Sequence, residues 1–187
     1  MTQSSPLLIG LSAVMVAVEA DAPRVLITQR ETGEDALPFG VFDPDRHRTF
    51  DLSLRGWVRE QTGFELGYVE QLYTFGDKDR ETPEATLAGT APNARVISVG
   101  YLALTPEARP AGDSFEARWQ SWYRFFPWED HRSGRPAIID AHIAPRLMTW
   151  AAGNERRLER ARAAFALDGI RWIEERVLDR YELLYEA

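Results

Sequence analysis

The chain reads as an α/β protein: a mixed sheet packed between helices and carried on into a helical C-terminal extension. Three observations predict this. Strand-length apolar runs stand before and after one short amphipathic stretch. That stretch closes on a glycine, as a helix does. Beyond Pro145 the apolar residues take up helical spacing and keep it to the end of the sequence.

Leu7–Val18 is an apolar run of strand type, too short to span a bilayer and preceded by no basic residue, so it reads as a buried strand. Arg24–Arg30 is its partner across the turn-rich connection Glu19-Ala20-Asp21-Ala22-Pro23. Leu37-Pro38-Phe39-Gly40 predicts a short strand and turn. Asp51 is then a candidate cap for a helix carrying Leu54, Trp57 and Val58 on its apolar side and stopping at Gly63. Tyr68–Phe75 and Val96–Leu104 read as strands, with Asp77–Asn93 a polar loop between them. The aromatic run Trp119–Trp128 predicts a further strand, and Arg135–Asp140 a last short one. Leu147, Ala151, Leu158, Ala161 and Phe165 describe one helix ended by Asp168-Gly169, and Ile173, Val177, Tyr181 and Leu184 a second. These patterns divide the chain into 1–144, the α/β domain, and 145–187, the helical extension.

With 187 residues, 44% hydrophobic and 27% charged, the chain has the composition of a globular protein. It contains no cysteine, which excludes disulfides, thiolate metal sites and cysteine nucleophiles and suits the cytoplasm. A net charge of −7 argues against gripping nucleic acid by bulk electrostatics. The helical extension is itself neutral, eight arginines against eight acids, which favours packing or a dimer surface over a DNA-reading helix. His47, His131 and His142 fall at no metal-ligand spacing, and there is no GxSxG elbow, GxGxxG turn or phosphate loop.

The segment from Gly40 to Phe64, GVFDPDRHRTFDLSLRGWVREQTGF, resembles a Nudix box that has lost most of its acids. Val58, Glu60, Gly63 and Phe64 fall where the pattern G-x5-E-x7-R-E-U-x-E-E-x-G-U requires them. Gly56 replaces the arginine, Trp57 and Gln61 replace two glutamates, Arg48 stands at the upstream glutamate, and the opening glycine is out of register at Gly40. Gln71–Arg80 and Arg95–Leu104 are similar to the paired strands of ADP-ribose-type Nudix proteins and of the Nudix-related regulators of NAD metabolism, the NadQ type above all. The resemblance implies a Nudix-type α/β/α sandwich with a mixed sheet. It further implies a domain that senses a nucleotide effector (NAD, ADP-ribose or a relative) and does not hydrolyse it.

Magnesium needs a cage of oxygen ligands, and one vestigial carboxylate, Glu60, is a poor one; no cofactor or metal is expected. The expected effector site is Arg30, Arg55, Trp57, Arg59, Asp77, Arg80, Tyr101 and Trp122: guanidinium forks for a diphosphate, a carboxylate for ribose hydroxyls, aromatic rings for a base. Trp57 in particular is expected to fill the volume of the absent metal, or else to join Val58 in the core. Partners expected on this reading are the effector, a second copy of the chain, and DNA through a segment beyond Ala187, with no membrane. Two other readings stay open. One is an atypical hydrolase drawing acids from Asp43, Asp45, Asp77, Asp79 or Glu116; the other is a dimerisation domain with a vestigial cleft.

Overall fold

The computed structural model describes residues 7–30, 33–76, 95–109 and 117–187. Its contacts divide the chain into two units, Met1–Trp122 and Tyr123–Ala187, so the change of pattern at Pro145 falls inside the second.

The first unit is a mixed sheet with one helix. Strand β1 is Leu7–Glu19, β2 Ala22–Gln29, β3 Asp35–Ala36, β4 Phe39–Val41, β5 Val69–Phe75, β6 Arg95–Leu104 and β7 Arg118–Ser121. The order is β3-β2-β1-β6-β5, with β4 joined to β1 and β7 to β2. The β1–β6 pair is parallel over ten residues, Leu7 opposite Arg95 through Val16 opposite Leu104; every other pair is antiparallel. The length of β1 makes this possible. One edge takes β6, while the other takes β4 at Gly10–Ser12 and β2 at Val16–Glu19. The β1–β2 hairpin turns on Ala20 and Asp21, at φ 48° and 60°, a left-handed pair that suits the strand twist but is strained for residues with a Cβ.

Strand alternation sends Leu11, Ala13 and Met15 of β1 and Val99, Tyr101 and Ala103 of β6 to one face. Helix α1, Phe50–Thr62, covers that face with Leu54 and Val58. Its N-cap is Thr49, whose hydroxyl accepts from the Leu52 N–H at 3.2 Å, and not Asp51. Asp51 lies in the first turn instead, where its charge suits the helix N-terminus and its carboxylate holds Arg55 four residues on. Gly63 ends the helix as expected, at φ 72° with its N–H on the Arg59 carbonyl.

The aromatic run after β7 is only briefly a strand, since Trp122–Arg124 and Pro127–Glu129 are single 3-10 turns. Arg135–Asp140 is not a strand. Pro136 opens a helical segment there that runs through a π-helical turn, Ile139–Ile143, into α2, Ala144–Ala151. The expected single helix from Leu147 to Phe165 is two, because Gly153 at φ 75° breaks it and Asn154 caps α3, Glu155–Phe165. Helix α3 ends on Ala166, left-handed at φ 49°, ahead of Asp168-Gly169. Helix α4, Val177–Glu186, begins after Ile173, which lies outside it. The core of this unit is Ile139, Ile143, Leu147, Ala161, Ala164, Phe165, Leu167 and Leu183. Buried beside it is Arg180, with no exposed surface. It is bidentate to Glu129 at 2.6 and 2.8 Å and donates to the carbonyls of Ala164, Ile173 and Glu174.

Candidate functional site

Trp57 and Gln61, one turn apart on α1, both face β4. The Gln61 amide bonds the backbone of Phe39 from both sides: its Oε1 accepts from the Phe39 N–H at 3.0 Å and its Nε2 donates to the Phe39 carbonyl. Only a group that both accepts and donates can do this; an ionised carboxylate only accepts. The Trp57 indole lies directly over Gly40, and its Nε1 donates to the Val41 carbonyl at 3.3 Å. A Cβ on Gly40 would come within 2.1 Å of the ring, so glycine is required for the approach. Trp57 is half-buried, neither standing free in an open cleft nor sealed beside Val58, which is fully buried. The two side chains therefore staple α1 to the short strand β4.

His47 completes this corner. Its Nδ1 takes the Asp43 N–H at 3.1 Å and lies 3.1 Å from the Ser53 hydroxyl, and its ring meets Trp57 edge-on with centroids 6.0 Å apart. Neither His47 nor Gly40 stands out as a site residue in the sequence, because each draws its role from a partner not adjacent in the chain.

Of the remaining expected site residues, the described ones stand on α1, on β6 and just after β2 and β7. Arg55 donates to Asp51 at 2.8 Å and to the Leu66 carbonyl, which ties α1 to the segment after it. Tyr101 is 7% exposed, in the core, with its hydroxyl 3.5 Å from Gln71 Oε1. Burial, and then the Asp51 carboxylate, push that hydroxyl above the usual tyrosine range. Arg55 and Tyr101 thus share Asp51 as a neighbour. Arg59 is 62% exposed and only loosely paired with Glu65 at 3.8 Å, which leaves its guanidinium turned to solvent, and Glu60 beside it is exposed too. Arg30 follows β2 and sits 4.0 Å from Glu34, while Trp122 begins the 3-10 turn after β7 and is half-buried. Asp77 and Arg80, like the loop Asp77–Asn93, lie outside the described residues. Among the described residues no three His, Asp or Glu side chains converge in the manner of a metal site.

No protein-family profile matches the chain, and no curated protein matches it by sequence. Solved structures do match. The Nudix domain of Shewanella oneidensis NrtR, complexed with ADP-ribose, is 20% identical with a TM-score of 0.51, over 67% of this chain and 79% of that one. A further crystal structure of Shewanella oneidensis NrtR aligns with 95% of this chain and 77% of its own, at 18% identity and a TM-score of 0.52. A MutT/nudix family protein from Enterococcus faecalis is 26% identical with a TM-score of 0.51, over 65% of this chain and 46% of its own. With its mixed sheet, its box helix on one face and its C-terminal helices, the chain has a Nudix-like α/β fold.

Proposed function

We propose that this is a non-catalytic Nudix-fold sensor, part of a transcriptional regulator of NAD metabolism, that binds an adenine nucleotide or ADP-ribose without hydrolysing it. The observation that carries this reading is the staple. The two box positions where a hydrolase would keep metal-binding glutamates hold an indole and an amide, and both are committed to the backbone of β4. Metal catalysis contributes several kcal/mol of charge stabilisation, each ~1.4 kcal/mol being tenfold in rate, so its loss removes orders of magnitude. That the NrtR Nudix domain was solved with ADP-ribose supports this ligand class. Of the described arginines expected at the site, Arg59 is the least taken up by the fold, which suits it to a diphosphate.

Calorimetry with ADP-ribose and with NAD, in EDTA, tests the sensor. Saturable binding is expected, weakened by Arg59→Ala by about 1.5–3 kcal/mol, the usual worth of a charge-assisted hydrogen bond. No heat at millimolar ligand would overturn it. Incubation of the same ligands with Mg²⁺ or Mn²⁺ should release no product. Turnover of about one per second, abolished by Glu60→Gln, would establish the hydrolase instead.

A further inference from the structure

The ring of His131 lies 4.0 Å from that of Trp172, and the same indole carries the Arg180 guanidinium at 3.9 Å. His131 Nε2 is buried, with no hydrogen-bond partner among the described residues. A neutral imidazole tolerates this, since its bare nitrogen is an acceptor and can stay unpaired at modest cost. An imidazolium fits less well, because both ring nitrogens then carry hydrogen and Nε2 becomes a buried donor with no hydrogen-bond partner at that atom. Trp128, three residues earlier, already buries one unmatched indole N–H. The groups around the ring are mixed: Glu129, Asp130 and the Trp128 carbonyl favour the cation, Arg135 and Arg180 oppose it, and Arg132 is occupied by Asp130 at 2.7 Å and by the Tyr123 ring. Burial outweighs the acids and holds the imidazole below its ordinary range.

The geometry points to His131 as an acid-sensitive latch: when protonated, it leaves Trp172 and frees the segment Ile170–Arg176 from the helical unit. The segment's anchor is Trp172, which also packs against the core of the unit. Apart from Trp172 and the carbonyls of Ile173 and Glu174 on Arg180, its residues are mostly exposed. Releasing it removes two of the three backbone carbonyls that satisfy the buried guanidinium, so the disturbance reaches α4.

Amide hydrogen exchange of residues 170–176 at pH 7.5 and pH 5.0, corrected for intrinsic rates, tests the latch. Protection is expected to fall about tenfold or more at pH 5.0 in the native chain, and equally in His142→Gln. His131→Phe keeps an aromatic ring for Trp172 but cannot be protonated, so its protection should not change with pH. Unchanged protection in the native chain, or the same loss in His131→Phe, overturns the proposal. Should that variant fail to fold, NMR titration of the native chain decides. The His131 ring must titrate below about 6.5, with the Trp172 indole signal moving at the same midpoint. Titration at or above that value, or an indole that does not follow, overturns the latch.

Discussion

The exchange of an acid for an amide at position 61 changes what α1 can hold. An amide there grips strand β4, and a carboxylate grips nothing on the donor side. Gln61→Glu should therefore destabilise the sheet unit by about 1–3 kcal/mol at neutral pH, the cost of a buried unmatched polar group. Denaturant midpoints should recover in part as the pH drops below the carboxyl's own titration, where the protonated acid regains a donor. Gly40→Ala should cost about 1–3 kcal/mol through overpacking, because the indole it strikes is held at Val41. Urea unfolding checks both, and wild-type stability in either variant would show that the staple bears no load. The sequence made Leu54 and Val58 legible as core, since their spacing is local. It could not pair Trp57 with Gly40, or Gln61 with Phe39, because tertiary packing sets those contacts and no periodicity records them.

Strands were easier to read than helix ends. The apolar runs of β1, β5 and β6 lie within a residue or two of their expected bounds, because alternation and turn residues mark them. The start of α1 is ambiguous in sequence, since Thr49 and Asp51 are both good capping residues; in the fold Thr49 caps and Asp51 pairs with Arg55. In the C-terminal part, Pro136 and the Ile138-Ile139 pair imitate a strand, and the break at Gly153 hides inside a spacing that continues across it. Ala166 offers a direct test. It caps α3 in the left-handed region, which costs a residue with a Cβ about 1–2 kcal/mol. Ala166→Gly should raise the melting temperature of the helical unit by recovering most of that, and a lower melting temperature would show that the methyl group's burial outweighs the strain.

The two units should fail at opposite ends of the pH range. In the helical unit, Asp130, Asp140 and Glu186 are each held below the ordinary carboxylate range, first by hydrogen bonds from Arg132, Arg135 and Arg160 respectively. A depressed acid stabilises above its unfolded value, and that contribution is lost as the pH falls through the folded one. His131 is depressed as well, so the unfolded chain takes up its proton first and stability declines on acidification from about pH 6.5 downward. In the sheet unit, the raised Tyr101 hydroxyl contributes below about pH 10 and loses its contribution as the pH rises through the folded value. Circular dichroism melts against pH should show helical signal lost first in acid and sheet signal first in alkali. The reverse order would contradict these assignments.

The parallel pairing of β1 with β6 has a consequence for how the protein is made. Val16 leaves the ribosome well before its partner Leu104, which does not exist until β2 to β5 have been translated. At roughly 5–20 residues per second that is a wait of about 5–20 seconds. Throughout it, an apolar strand with no charged residue before Glu19 stands beside the exit tunnel. The strand β2 follows at once and can pair with it through the turn at Ala20-Asp21, so the strained hairpin is the first protection available to the far half of β1. Chaperone demand during synthesis should therefore respond to that turn more than to any residue of the candidate binding site.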